Sequence, residues 1–236
     1  MPWNIIRLGT VTSTMDEAAG HPPGTVVVAE EQTAGRGRLE RRWHSAPGAG
    51  LYFSAVLEHP EPAPIVTLAL GLAVQEAIQQ TAGVDCDIRW PNDLLIGERK
   101  CAGILVQYHG GRLIAGIGVN VNHEGMPPEL AGIATSLRMV TGRERSKEQL
   151  LAAVLGAIEV CLHLTTGEVL RLFAQASSYA SGRRVTVESA ELSLAGTTDG
   201  LDPSGFLWIR DSDGRRHLLH SGGVRAADSR RPPGRE

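Results

Sequence analysis

Four arginines and two glycines crowd into the fourteen residues from Glu30 to Trp43: Arg36, Arg38, Arg41 and Arg42 around Gly35 and Gly37. Guanidinium forks match carboxylate and phosphate oxygens, and glycine lets a backbone approach a ligand closely. That is the make-up of an anion cradle, although a solvated basic loop has the same composition and these residues alone leave both readings open. Ser13 and Thr14 place two hydroxyls at a helix start, able to meet a polar ligand or simply to cap the helix. Asn92 and Asp93 follow Trp90-Pro91, where a strand opens into a loop and polar side chains are both fixed and accessible. Lys100 stands at the entrance of a hairpin whose return strand carries Gly116 and Gly118. Glycine weakens a strand interior unless a ligand or a neighbouring element must come close.

The elements that would position these residues follow from hydrophobic pattern and turn chemistry. Val26 to Ala29 reads as the buried strand that delivers the arginine loop, with Ile5 to Leu8 and Leu51 to Leu57 as further strands. Thr14 and Glu17 have capping-box spacing for a short helix ending near Gly20. Residues 65 to 82 form a long core helix. Cys101 to His109 and Arg112 to Asn122 flank the Gly110-Gly111 turn as a hairpin. Ser146 and Gln149 open an amphipathic helix running to a stop at Gly167, and a second helix spans Glu168 to Ala180. Beyond Gly182 the pattern changes to short strands, Arg184 to Glu188, Glu191 to Leu194, Phe206 to Arg210 and His217 to His220. Two domains are expected, 1–181 and a small β-barrel over 182–225, followed by a disordered tail over 226–236.

Composition narrows the class. The chain has 236 residues, 42% hydrophobic and 21% charged, and no apolar run reaches the ~18 residues of a membrane span. No secretory signal opens the chain, so the cytoplasm is expected. A net charge of −3 makes the arginine cluster local and weighs against a nucleic-acid partner. Cys86, Cys101 and Cys161 are odd in number and widely spaced, which suits reduced core residues better than disulfides or zinc.

Taken together, Ser13-Thr14, Glu31 to Arg38, Trp90-Pro91-Asn92-Asp93, Lys100 to Leu105 and Gly116 to Asn120 make the chain resemble the biotin protein ligases over nearly its full length. The resemblance implies an α/β (α+β) fold, a mixed-sheet catalytic domain of class II aminoacyl-tRNA synthetase type followed by an SH3-like barrel. It implies an activity in two steps. Biotin and Mg-ATP give biotinyl-5′-AMP and pyrophosphate, and a lysine of a biotin carboxyl carrier protein then takes the biotinyl group. Carried over by position, Ser13, Thr14, Gln32, Gly35, Gly116 and Gly118 line the biotin pocket, with Arg36, Arg38 and Lys100 at the carboxylate. Arg41, Trp43, Asn92 and Asn120 join Arg36, Arg38 and Lys100 around ATP. Asp93 is expected to serve the Mg2+ and to help deprotonate the acceptor lysine, so the catalytic set is Arg36, Arg38, Lys100 and Asp93.

The chain opens at the catalytic region, so a monofunctional enzyme without the repressors' DNA-binding domain is expected, with neither nucleic acid nor membrane as partner and a homodimer left open. Some positions depart from the family pattern: Glu40 replaces a common glycine, Met15 an asparagine and Arg89 a lysine, and Gly222-Gly223 lacks an acidic residue. Two rivals remain, a lipoate ligase of the same superfamily and a sensor that binds biotin or nucleotide without turnover. The Gly35-Arg-Gly-Arg38 loop belongs to the biotin branch, and Lys100 beside it argues for turnover.

Overall fold

The computed structural model describes residues 3–39, 41–58, 63–188 and 193–227. Glu40, the tail from 228, and parts of the proline-rich stretch and of the Glu191 to Leu194 strand expectation lie outside them. In chain order the first half comprises β1 (Asn4–Val11), α1 (Thr14–Ala18), β2 (Thr25–Gln32), β3 (Gly50–Leu57), α2 (Ala63–Ala82), β4 (Asp87–Arg89), β5 (Asp93–Ile96), β6 (Arg99–His109) and β7 (Arg112–Asn120). Three helices follow, α3 (Leu137–Thr141), α4 (Lys147–Cys161) and α5 (Thr166–Ala176). The last part is all strand: β8 (Ser181–Glu188), β9 (Ser193–Leu201), β10 (Leu207–Arg210), β11 (Arg216–Leu219) and β12 (Gly223–Ala226).

Seven strands form a mixed sheet in the order β1-β2-β3-β7-β6-β5-β4, with β1 and β2 parallel and the other neighbours antiparallel. Strand alternation divides its two faces. In β7, Leu113, Ala115, Ile117 and Val119 enter the core built against α2 and α4, to which Leu51, Phe53 and Ala55 of β3 also belong. Ile114, on the other face, packs with Met15 and Ala18 of α1, and Gly116, Gly118 and Asn120 share that side by the same period. The hairpin turn at Gly110-Gly111 has φ of 56° and 79°, the left-handed pair that glycine supplies.

The five-stranded antiparallel sheet β11-β10-β9-β8-β12 begins at Ser181, at the expected boundary. Its core is nevertheless shared. Val185, Val187, Leu207 and Ile209 pack in one cluster with Leu68 and Leu72 of α2, Phe173 of α5 and Trp90, and Trp90 Nε1 donates to the carbonyl of Gly205 at 2.9 Å.

Local expectations need five corrections. Ser13, not Thr14, caps α1, its Oγ accepting from Met15 N at 3.3 Å, because the Thr14 hydroxyl is drawn to Gln32. The helix opened by Ser146 ends at Cys161 rather than Gly167, since Thr165 and Glu168 form a capping box that starts α5. That helix stops at Ala176, where Ser177 turns extended and donates to the Ile88 carbonyl at 2.5 Å. Helix α3 and strand β12 were not anticipated, being too short to show a period. Ala226, expected in the tail, instead pairs with Val185.

His123 follows β7 and is only 4% exposed beside Tyr52, whose hydroxyl lies 3.4 Å from Nε2. Burial, with a smaller push from the neighbouring His44, lowers its pKa from 6.5 to about 4. The depressed value means that the folded state holds a neutral ring. The associated stability is fully present above pH 6.5 and is lost as pH falls toward 4, because the unfolded chain takes up the proton first. Urea unfolding at pH 7.5 and pH 5 should therefore show an extra loss of about 1–2 kcal/mol in the wild type that His123→Gln lacks. Equal losses in both proteins would contradict a neutral buried His123.

Candidate active site

The end of β2 and the start of α1 are joined by one side chain. Gln32 Oε1 accepts from the Thr14 backbone N–H at 2.9 Å and from its hydroxyl at 3.1 Å, while Gln32 Nε2 donates to Ser45 Oγ at 2.9 Å. Thr14 Oγ1 also lies 2.8 Å from Ser54 Oγ of β3. With Ser13, also buried, these residues make a polar nest on the face of the sheet opposite the main core.

The arginine loop leaves Gln32 and folds back on itself. Gly37 N donates to Arg41 O at 2.7 Å and Trp43 N to Gly35 O at 2.8 Å. A Cβ on Gly35 would sit 2.8 Å from the Trp43 carbonyl and 3.0 Å from Gln32 Nε2, so this turn tolerates no side chain. Leu39 at the tip takes φ 54° and is 57% exposed. The two inner arginines are held differently. Arg36 pairs with Asp16 of α1, Nη2 lying 2.7 Å and 2.9 Å from the two carboxylate oxygens. Arg38 donates to Asn92 Oδ1 at 3.2 Å and to the Gly222 carbonyl at 3.5 Å. Burial lowers the Arg38 pKa from its ordinary value, with Asp93 opposing.

Trp43 packs against the sheet. Gly103 of β6 and Gly118 of β7 are register partners, and a Cβ on either would meet the indole at 2.9 Å and 2.5 Å. Gly116 makes the same room for the Met15 sulfur, 2.9 Å from where its Cβ would be. The strand glycines thus accommodate a close approach, and in this structure the approaching groups are the chain's own Trp43 and Met15. Trp43 Nε1 is buried without a hydrogen-bond partner, and Lys100 Nζ sits 5.1 Å from the ring centroid.

At the centre Asp93 stands between two cations. Arg89 Nη2 contacts Oδ2 at 2.7 Å and Lys100 Nζ contacts Oδ1. Burial alone would raise the carboxyl pKa, but Lys100 and Arg89 outweigh it and bring it to about 2. Both carboxylate oxygens are thus engaged by the two cations. Asn92 is tied down too, its Nδ2 donating to Ile104 O at 2.7 Å. Asn120 Nδ2 donates to Thr135 O at 3.0 Å.

Two cavities meet here. A small one, about 40 Å³, is bordered by Ser13, Thr14, Gln32, Arg36, Gly116 and Gly118. A cleft of about 500 Å³ is bordered by Arg41, Asp93 and Asn120, and Arg38, Trp43, Asn92 and Lys100 border both. Every candidate read from the sequence therefore lines one of the two, except Gly35, which lies beneath the loop. The sequence reading missed the apolar rim of the cleft at Met126, Leu130 and Ile133, and the contribution of Gly222 to Arg225 from the small sheet. Arg89 and Glu98 also face the cleft.

Known proteins share this arrangement. The Biotin/lipoate A/B protein ligase family matches residues 8–123. The bifunctional ligase/repressor BirA of Bacillus subtilis is 33% identical over 226 residues, covering 89% of this chain and 70% of the relative. The chain belongs to the biotin protein ligase family. The biotin–acetyl-CoA-carboxylase ligase of Mycobacterium tuberculosis is 31% identical, over 85% of this chain and 78% of its own. Among solved structures, the biotin protein ligase of Aquifex aeolicus in complex with biotin and ATP superposes with a TM-score of 0.87 at 32% identity, covering 95% of this chain and 99% of the other.

A cavity of about 40 Å³ holds roughly two or three waters. A bicyclic ligand can enter it only if Trp43, Met15 or the loop shifts. Titrating the protein with biotin should change tryptophan emission, and Trp43→Phe, which leaves Trp3, Trp90 and Trp208 in place, should abolish most of that change. An undiminished signal in the variant would remove Trp43 from the entry step.

Proposed function

We propose that the chain is a biotin protein ligase acting in two steps: biotin and ATP form biotinyl-5′-AMP and pyrophosphate, and the biotinyl group then passes to a specific lysine of a biotin carboxyl carrier protein. The observation that carries this reading is the meeting of Lys100, Arg38 and Trp43 at the seam between a small polar pocket and a large cationic cleft. The seam is where a carboxylate from one side would meet an α-phosphate from the other. Both are anions, so attack of the carboxylate oxygen on phosphorus requires neutralising charge that strengthens as pyrophosphate leaves. Arg36, Arg38 and Lys100 are assigned that work. Ser13, Thr14 and Gln32 are assigned to the ureido ring, with Gly116 and Gly118 as the floor once Trp43 and Met15 yield it.

The cleft carries six basic side chains, Arg38, Arg41, Arg42, Arg89, Lys100 and Arg225, against the two acids Asp93 and Glu98. That surplus suits a triphosphate. Mg2+ enters with the ATP as part of the substrate, and among the described residues no group of three His, Cys, Asp or Glu side chains gathers to hold an ion. Mg2+ ordinarily relies on phosphates, waters and one or two carboxylates. In the second step the same cationic field disfavours an ammonium, which supports delivery of the acceptor lysine as a neutral amine. Its lone pair attacks the acyl carbon and AMP departs.

For the fold, we take residues 1–181 as a class II aminoacyl-tRNA synthetase-like catalytic domain and 182–225 as an SH3-like barrel. Supporting this are the mostly antiparallel seven-stranded sheet and the start of β8 at Ser181. Three free cysteines support a cytoplasmic setting, and among the described residues no helix is long and apolar enough to cross a membrane.

Pyrophosphate release separates the readings. It should require ATP with biotin and not occur with lipoate. Release with lipoate alone would identify a lipoate ligase, and release with neither would identify a sensor. Lys100→Ala should lower the adenylation rate roughly a hundredfold, about 3 kcal/mol of transition-state stabilisation. A variant adenylating at the wild-type rate would take Lys100 out of the mechanism.

A further inference from the structure

Lysine is ordinarily among the commonest residues of a soluble protein. This chain has 23 basic side chains and only two are lysines, Lys100 and Lys147. Both ε-amines are held by carboxylates: Lys100 by Asp93, and Lys147 by Glu30 with Nζ–Oε2 of 2.6 Å. The remaining 21 are arginines, whose guanidinium stays protonated and offers no nucleophilic lone pair.

That distribution has a chemical meaning if the protein makes a biotinyl-adenylate, the reading on which this inference rests. A mixed anhydride acylates any accessible neutral amine. The nitrogen lone pair attacks the acyl carbon, the bond from that carbon to the phosphate oxygen breaks, AMP leaves with the bonding electrons, and the extra proton on nitrogen goes to solvent. Lys100 is the amine most exposed to this reaction, because it borders both cavities at their seam. A nitrogen pinned in an ion pair is not free to swing onto the acyl carbon. Asp93 is placed to keep it so, since Arg89 fixes its second oxygen at 2.7 Å and leaves the first for Lys100.

We propose that Asp93 is a positioning residue that pins the Lys100 nitrogen beside the anhydride and off its acyl carbon, and that the scarcity of lysine protects the rest of the molecule from its own intermediate. Lys147 is covered by the same device at Glu30.

The test supplies ready-made biotinyl-5′-AMP to the full chain without ATP, with a lysine-containing peptide in the same tube, and locates added biotinyl groups by peptide mass mapping. Wild type should remain unlabelled at Lys100 and Lys147 while the peptide is labelled. Asp93→Asn should carry about tenfold more label at Lys100, the loss of one charge-assisted hydrogen bond being worth about that factor, and Asp93→Glu should restore protection. Glu30→Gln, a surface change that spares the core, should expose Lys147 in the same way. Arg143→Lys and Arg215→Lys, both at exposed positions, should each acquire label at the new lysine. Wild type labelled at Lys100 as readily as Asp93→Asn would overturn the guarding role of Asp93. Glu30→Gln or the new lysines staying unlabelled beside a labelled peptide would overturn the wider protection. Because the reagent is supplied, a protein that forms no adenylate fails the pyrophosphate assay and not this one.

Discussion

One partly buried carboxylate between two cations holds the centre of this molecule together. Asp93 begins β5, Arg89 ends β4, and Lys100 opens the long strand β6, so the Arg89–Asp93–Lys100 chain of charges stitches three strands at the sheet's edge. Breaking a buried pair by removing one member typically leaves the other charge uncompensated at a cost of several kcal/mol. The lysine that meets the anions is therefore aimed by its neighbours before any ligand arrives, and such preorganised charge is what stabilises a transition state in a site that excludes water.

Around that centre the sheet contributes absences as much as side chains. Gly103, Gly116 and Gly118 leave a bare strip of backbone on one face while the opposite face of the same strands is filled with Ile104, Ile117 and Val119 against the helices. A strand that is bulky on one side and bare on the other would be unstable alone. Here the bare side is covered by Trp43 and Met15. The buried, unpartnered Trp43 N–H is the residual strain of that arrangement.

How much of this the amino-acid sequence revealed depended on distance along the chain. The arginine loop was legible because all of its parts lie within fourteen residues, and the glycines of β7 were legible as a close approach, because glycine otherwise weakens a strand, but the group that approaches was not. Asp16 as the partner of Arg36 was not legible, since nothing in a residue twenty positions away marks an ion pair. The partners of Asp93 were hidden for the same reason. Its type and place were plain, but its two partners come from β4 and β6. Ser13 and Thr14 were read together as a pair of hydroxyls yet exchanged as caps, because either hydroxyl can serve and tertiary contact with Gln32 decided between them. The rim formed by Met126, Leu130 and Ile133 carries no local signature, and the strand at Gly223–Ala226 is too short to have one.

The hydrogen bond from Arg38 to the carbonyl of Gly222 spans 184 positions of the chain. A polypeptide emerges from its N-terminus at roughly 5–20 residues per second, so the arginine loop waits roughly ten to forty seconds for the backbone that completes its cleft. Until Gly222 is made, the nascent chain carries the loop, Lys100 and the glycine strip without that wall. The small sheet, made long after the arginine loop, supplies the backbone that closes the cleft.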